Sequence, residues 1–162
     1  MLSNEKICYI LRGQPCSGKT TYRKEHLADL PCVSLDDYIE AKMQELNLSY
    51  DKAWARFAFE AGEHKRKIFL ECMKNGKSFV IDAMNLSQRI TTTDIVNLLT
   101  KGFTIHEITF HVEQDIINER RSRRVGKTTP DCLCKPVEPC VLHNMSTIIK
   151  ATKDYTIREY RP

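Results

Sequence analysis

The sequence predicts an α/β domain built on a four-stranded, mostly parallel sheet that is flanked by helices. Short apolar runs rich in Ile, Val, Phe and Thr alternate along the chain with longer stretches whose apolar residues recur at helical spacing. This alternation is typical of a parallel sheet with helices on its faces. A glycine-rich loop joins the first strand to the first helix, and a charged helix follows the fourth strand. We expect that charged helix to be an arginine-bearing lid.

Four segments are predicted as strands because they are short, apolar and β-prone. In chain order they span 6–11, 32–35, 78–82 and 104–112. Five segments with helical spacing of their apolar residues are predicted as helices. They span 19–29, 36–46, 50–75, 87–101 and 113–124. Gly76 and Gly102 follow two of these helices, where glycine commonly ends a helix.

The end of the chain is predicted to contain a loop and one more helix. Residues 125–138 include a glycine and two prolines, which favour a loop. Pro139 suits the first turn of a helix, which we expect to run to about Tyr155.

Composition indicates an ordinary globular protein. A chain of 162 residues suits a single domain, predicted to span 1–162, and the net charge is only +4. No uninterrupted apolar run is long enough to cross a membrane, and residues 1–6 lack the apolar region of a signal peptide. We therefore expect a soluble, cytoplasmic protein with no membrane partner. Its seven cysteines, an odd number, are expected to be reduced.

Gly13 begins a loop of sequence Gly-Gln-Pro-Cys-Ser-Gly-Lys-Thr, a complete G-x-x-x-x-G-K-T phosphate-binding motif. The backbone N–H groups around Gly13, Ser17 and Gly18 are expected to surround the α- and β-phosphates of ATP. Lys19 is expected to reach the β- and γ-phosphates, and the Thr20 hydroxyl to ligate Mg²⁺. The helix that follows directs its positive N-terminal end at the same phosphates. The sequence therefore predicts a nucleotide-binding protein.

Acidic residues follow the second and third predicted strands, at the sheet edge where ligands bind in such folds. Asp36 and Asp37 come directly after strand two, and one is expected to cap the next helix while the other takes part in chemistry. We expect Asp36 to be the general base and Asp37 to lie at the substrate. Asp82 ends strand three and Asn85 follows it. A role in binding Mg²⁺ or substrate and a plain Asx-turn are equally consistent with the sequence at this point.

The predicted fifth helix carries a concentration of arginines. Arg120 and Arg124 are spaced i, i+4 and so lie on one face, where two guanidiniums can hold phosphate oxygens. Arg121 and Arg123 point elsewhere on the helix. A solvated helix face is the alternative explanation, but the neighbouring nucleotide site favours a catalytic lid.

Four possible zinc ligands occur close together near the end of the chain: Cys132, Cys134, Cys140 and His143. Their spacing is not that of a standard zinc site, so free thiols are favoured over a metal centre.

Taken in order, these motifs resemble the phage-type polynucleotide 5′-kinases, a family of P-loop kinases. Five segments resemble elements of that family: 9–21, 36–38, 81–86, 120–124 and 139–145. The resemblance implies that Thr21 joins the nucleotide-binding residues and that Asp36 is the general base for a 5′-hydroxyl. It also implies that Asp82 and Asn85 lie near the acceptor and that Arg120 and Arg124 are lid arginines.

The sequence departs from the family pattern in three ways. Some relatives have an arginine directly after Asp-Asp-Tyr that binds the acceptor phosphate, and this chain has Ile39 there. Arg12 or Lys42 are candidates to replace it. The loop before Pro139 looks longer than in the family, and no phosphatase or ligase domain is present. We therefore expect a free-standing kinase or a fragment of a larger enzyme.

The leading functional prediction is an ATP- and Mg²⁺-dependent kinase that phosphorylates the 5′-OH end of DNA or RNA. A small-molecule or nucleoside kinase is the second alternative. A nucleotide-binding regulatory ATPase with no acceptor is the third, and the carboxylate at the end of strand two argues against it.

Overall fold

The computed structural model describes residues 4–85, 87–123 and 137–162. The strands are β1 (Ile7–Arg12), β2 (Cys32–Val33), β3 (Phe79–Asp82), β4 (Thr104–Phe110), β5 (Thr147–Ala151) and β6 (Tyr155–Tyr160). The helices are α1 (Lys19–His26), α2 (Leu35–Leu46), α3 (Tyr50–Asn75), α4 (Gln88–Thr100) and α5 (Gln114–Ser122). A short 3-10 helix, His143–Met145, precedes β5.

One sheet contains all six described strands, in the order β2-β3-β1-β4-β6-β5. The first four of these strands are parallel, with Ile10 of β1 opposite Ile81 of β3 on one side and Glu107 of β4 on the other. Strand β6 then pairs antiparallel with β4, and β5 pairs antiparallel with β6. The predicted α/β fold is confirmed, but the sheet is mixed and has six strands rather than four.

The two additional strands replace the predicted final helix, so the helix expected from Pro139 to Tyr155 is wrong. Strand β6 has β-branched and aromatic residues, and its Ile157 and Tyr160 are buried against the rest of the sheet. Thr152 closes the β5–β6 turn in two ways. Its backbone N–H donates to the Tyr155 carbonyl, and its hydroxyl accepts from the backbone N–H groups of Asp154 and Tyr155. A proline suited to a helical first turn cannot outweigh this pairing.

Serines cap three of the helices. The side chains of Ser34, Ser49 and Ser87 accept hydrogen bonds from backbone N–H groups in the first turns of α2, α3 and α4. Helix α3 ends where predicted, because Gly76 adopts the left-handed conformation (φ 60°) that terminates a helix.

Apolar side chains from both faces of the sheet are buried, as expected of a parallel sheet that helices cover on each side. One cluster joins Ile10 of β1 to α3 and α4 through residues such as Cys72, Ile95 and Leu98. A second cluster joins Leu11, the next residue of β1, to Leu27 at the end of α1. Because successive residues of a strand point to opposite faces, β1 anchors both layers.

Helices α2 and α3 pack on each other around a separate small cluster. Ile39, Ala53, Phe57 and Ala61 are its buried members. The buried Ile39 explains why no arginine stands at this position: a side chain there lies in the α2–α3 core rather than at the sheet edge. None of the helices in the described parts of the chain is long and apolar enough to cross a membrane.

Candidate active site

The phosphate-binding loop connects β1 to α1 at the carboxyl edge of the sheet. Cys16 and Gly18 both have positive φ, of 67° and 99°, and Gly18 is the N-cap of α1. The Ser17 N–H donates to the carbonyl of Gln14 at 3.2 Å. These conformations turn the chain tightly before the helix, and only glycine adopts the Gly18 conformation without strain.

Gly13 is the first residue of the loop and is closely surrounded. Its N–H donates to the carbonyl of Met84 at 2.9 Å, which ties the loop to the segment after β3. A Cβ atom at this position would lie 2.6 Å from the Ser17 Oγ and 3.1 Å from the Cβ of Phe110. No larger residue than glycine therefore fits here without displacing the loop.

The donor groups of the loop suit a polyphosphate. The Lys19 Nζ donates to the carbonyls of Gly13 and Gln14, both at 2.8 Å, so the lysine lies along the inside of the loop. The buried Ser17 Oγ has no hydrogen-bond partner among the residues that the structure describes. Thr20 is exposed at the start of α1. The loop thus brings together a lysine, an unsatisfied hydroxyl and a helix N-terminus. These are the groups that bind phosphate oxygens in proteins.

Arg120 reaches this loop from α5. Its Nη1 donates to the Cys16 carbonyl at 3.1 Å and lies 3.9 Å from where a Cβ of Gly18 would stand. Arg123 instead pairs with Glu119 on its own helix. Arg124, the predicted second lid arginine, lies outside the described residues. One of the two predicted lid arginines is therefore placed beside the phosphate loop.

Asp36 and Asp37 lie in the first turn of α2, but neither is its cap. Ser34 takes that role by accepting from the Asp37 N–H at 3.3 Å, so the expectation that one aspartate caps the helix is wrong. The sequence Ser-Leu-Asp-Asp carries this signal, because serine at the N-cap followed by acidic residues in the first turn is favourable. Both carboxylates then serve other contacts. The Tyr50 hydroxyl donates to the Asp36 Oδ1 at 2.6 Å.

Arg23 is the site residue that the sequence reasoning missed. Its guanidinium pairs with both carboxylate oxygens of Asp37, at 2.6 and 3.0 Å, and its Nε lies 3.3 Å from the Asp82 Oδ2. The side chain is only 11% exposed. Arg23 follows Lys19 by four residues, about one helical turn, and so lies on the same face of α1. This spacing is the sequence signal that indicates Arg23 as a site residue.

Asp82 ends β3 beside this arginine and is largely buried. Burial raises the pKa of its carboxyl, while the neighbouring charges of Arg23 and Lys19 oppose that rise. The two cations thus favour the ionised carboxylate at the sheet edge. Lys19, Arg23 and Asp82 come together from α1 and β3, as the topology predicts for loops after parallel strands.

Sequence comparison agrees with this geometry. A family model described as an AAA domain, AAA_33, matches residues 9–133, a span that includes the phosphate loop, both acidic segments and α5. The chain belongs to this AAA domain family. It is accordingly a kinase-like P-loop domain with the loop expected of a nucleotide-binding protein.

Two solved structures share the fold of this AAA domain. One, described as a "putative kinase" from Chloroflexus aurantiacus, has a TM-score of 0.55 and 23% sequence identity, with 73% of this chain and 64% of that chain covered. The other is a Pnkp1/Rnl/Hen1 complex, with a TM-score of 0.55 and 16% identity, covering 94% of this chain and 52% of that one. The AAA domain thus spans between half and two thirds of the chains it matches. No curated protein matches its sequence.

Asn85 is turned toward the interior of the AAA domain. Its Nδ2 donates to the Leu11 carbonyl at 2.7 Å and, at 3.4 Å, to the Ala83 carbonyl. The residue has a positive φ of 50°, and its own carbonyl accepts from the Arg12 Nε at 2.7 Å. These contacts give Asn85 a structural part in holding the segment after β3 against β1.

Arg12 is excluded as an acceptor-binding residue because it is only 1% exposed. Besides Asn85, it donates to the Glu138 carbonyl at 2.6 Å and pairs with Glu107 at 3.5 Å. Burial raises the pKa of Glu107 despite this cation. Lys42, the other candidate, pairs with Glu45 at 3.0 Å and lies over the ring of Tyr38.

The four possible zinc ligands, for which free thiols are the favoured explanation, are only partly described. Cys140 is buried and accepts from the Thr92 hydroxyl at 3.3 Å, and burial lowers the pKa of His143. Cys132 and Cys134 lie outside the described residues. Among the residues that the structure describes, no three His, Cys, Asp or Glu side chains are grouped to hold a metal ion.

Proposed function

We propose that this AAA domain is a polynucleotide 5′-hydroxyl kinase that transfers the γ-phosphate of ATP to the 5′-OH end of DNA or RNA. The observation that carries the proposal is the position of Asp36, an exposed carboxylate in the first turn of α2. The next residue, Asp37, is hydrogen-bonded to Arg23 on α1, the helix that follows the phosphate loop. The resemblance of the Asp-Asp-Tyr and phosphate-loop motifs to phage-type polynucleotide kinases supports it, as does the shared fold with a Pnkp1 complex.

The donor nucleotide is assigned to the phosphate loop. Backbone N–H groups at the Gly18 end of the loop, the Ser17 hydroxyl and the Lys19 ammonium would hold the phosphates, with Thr21 at the start of α1 beside them. Mg²⁺ would be held by the Thr20 hydroxyl, with Asp82 as the nearby carboxylate. The ion would neutralise part of the negative charge on the phosphates. The unsatisfied Ser17 Oγ and the space that only glycine leaves at Gly13 support this assignment.

Asp36 is assigned as the general base. In the transfer, the oxygen of the acceptor 5′-hydroxyl forms a bond to the γ-phosphorus while the bond from that phosphorus to the β–γ bridging oxygen breaks. The hydroxyl proton passes to Asp36, and ADP leaves. Arg120, beside the loop, would neutralise charge that develops on the transferred group, and Arg124 is proposed to act with it.

We propose that three residues near the substrate act mainly by positioning other groups: Asp37, Asp82 and Asn85. Asp37 and Asp82 hold Arg23 between them, and Asn85 holds the backbone after β3. Their contribution would be to keep the acceptor hydroxyl, Asp36 and the phosphate loop in one geometry.

A small-molecule or nucleoside kinase is the second candidate. It is favoured by the pairing of nearby cations with acidic neighbours, Lys42 with Glu45 and Arg123 with Glu119, which reduces the positive charge that a polyanion would meet.

The deciding experiment compares acceptors. We would measure kcat/KM for 5′-OH oligonucleotides of increasing length and for nucleosides, at two salt concentrations. A polynucleotide kinase should favour oligonucleotides, and its KM should rise steeply with salt because counterions are released on binding. A higher kcat/KM for a nucleoside, without salt sensitivity, would overturn the polynucleotide assignment in favour of the second candidate.

A further inference from the structure

Two aromatic side chains lie one helical turn apart at the start of α3. The rings of Tyr50 and Trp54 are stacked, with centroids 6.0 Å apart and planes inclined by 28°. Tyr50 is half-buried and packs against the α2–α3 cluster, whereas Trp54 is 42% exposed. One side of the pair is thus supported by protein and the indole faces solvent.

The same pair is linked directly to the proposed general base. The Tyr50 hydroxyl donates to the Asp36 Oδ1 at 2.6 Å, so the aromatic pair and the carboxylate are joined by one side chain. Because α2 and α3 pack tightly through Ile39 and Phe57, the two groups are held at a constant spacing. A molecule with a hydroxyl at Asp36 therefore has an aromatic surface beside it.

We propose that Trp54, supported by Tyr50, is a stacking platform for a nucleobase near the acceptor end. This inference rests on the proposed polynucleotide kinase activity and adds a base-binding site to it. Every base has a π-face, so stacking on an indole tolerates any sequence and suits an enzyme that acts on ends. It also offers an acceptor contact that does not depend on an arginine at position 39.

The test uses kinetics with a matched control. Trp54→Ala should raise the KM for a 5′-OH oligonucleotide by roughly 10-fold or more, with kcat and the KM for ATP little changed, because a stacking contact is lost. Trp54→Phe should recover most of that affinity. Phe59→Ala is the control, since Phe59 is a more exposed aromatic on the same helix (82% exposed) and has no assigned role. It should leave the KM unchanged.

Two further measurements separate base stacking from other roles of the tryptophan. Trp54 is the only tryptophan in the chain, so oligonucleotide binding should quench the intrinsic fluorescence directly. With an oligonucleotide whose terminal nucleotides are abasic, wild type and Trp54→Ala should have the same KM.

The outcomes distinguish this inference from the function on which it rests. If wild type phosphorylates oligonucleotides but Trp54→Ala has an unchanged KM, the platform is wrong and the kinase assignment stands. An equal loss with abasic ends would likewise overturn base stacking and indicate a structural role or a protein-docking surface. If wild type phosphorylates no oligonucleotide, the proposed function fails first, and the platform with it.

Discussion

Arg23 holds Asp37 through two hydrogen bonds, of 2.6 and 3.0 Å, which join the helix of the phosphate loop to the helix that carries Asp36. The same guanidinium lies 3.3 Å from a carboxylate oxygen of Asp82 at the end of β3. The hydrogen bond to Asp37 raises the pKa of Arg23 above its usual value, so the residue stays charged. Three segments that meet at the sheet edge are thus connected by one cation.

Replacement of Arg23 should affect both stability and turnover. Arg23→Ala is expected to lower the free energy of unfolding by on the order of 1–3 kcal/mol, because largely buried Asp82 loses a cation and Asp37 loses two hydrogen bonds. Arg23→Lys should restore little of the kcat that is lost in Arg23→Ala, since a lysine cannot pair with both carboxylate oxygens of Asp37. Thermal denaturation and steady-state kinetics measure the two effects. Lys24→Ala, an exposed neighbour on α1, is the control and should behave as wild type.

Lys19→Ala should abolish phosphoryl transfer while the domain stays folded. The lysine is the charge expected to meet the β- and γ-phosphates, and its loss also removes two hydrogen bonds to loop carbonyls, worth about 1 kcal/mol each. Transfer assays and circular dichroism check the two statements. A folded Lys19→Ala protein with full activity would remove the kinase hypothesis.

The two aspartates of α2 should be separable by mutation. Asp36→Asn is expected to lower turnover by about 10²-fold or more with little change in ATP affinity, because a positioned base is lost. Asp37→Asn should act mainly on thermal stability through Arg23. Ser34→Ala should cost about 1 kcal/mol of stability as the loss of a helix cap. If Asp37→Asn silences the enzyme and Asp36→Asn does not, the roles assigned to them are reversed.

Arg120→Ala should reduce transfer strongly, because its guanidinium lies at the phosphate loop. Arg120→Lys is expected to rescue poorly, since the planar fork of donors is lost. Arg123, paired with Glu119 on the same helix, is the matched control, and Arg123→Ala should have a small effect at saturating acceptor. Equal losses at the two positions would indicate a diffuse electrostatic surface instead of a specific contact.

Asn85 offers a test of structure against substrate binding. Asn85→Gly keeps the positive φ but loses the hydrogen bond to Leu11, whereas Asn85→Ala loses the bond and strains the backbone. We expect Asn85→Ala to be less stable than Asn85→Gly by about 1–2 kcal/mol in urea denaturation. A lower kcat/KM with unchanged stability in both variants would instead place the amide at the acceptor.

Local features of the chain were predictable where the information lies in neighbouring residues. The phosphate loop depends on glycines and a lysine at fixed spacing, so the sequence predicts it directly. The sequence also predicts α3, which ends at Gly76 in the left-handed conformation. The cap of α2 is Ser34 and not an aspartate, although serine at that position is itself a local signal. The four parallel strands are likewise predicted by the sequence, since each has its own apolar run.

The sequence by itself determined a P-loop domain with a parallel α/β core, because motif spacing and hydrophobic periodicity are local properties. Only the tertiary structure decided that the last segment pairs as β5 and β6, since β6 is stabilised by β4, which lies far away in the chain. It also decided that Arg12 is buried in an ion pair with Glu107, whereas Arg23 pairs with Asp37 and Asp82 at the sheet edge. Burial and ion pairing depend on which distant residues come together, and spacing along the chain does not encode that.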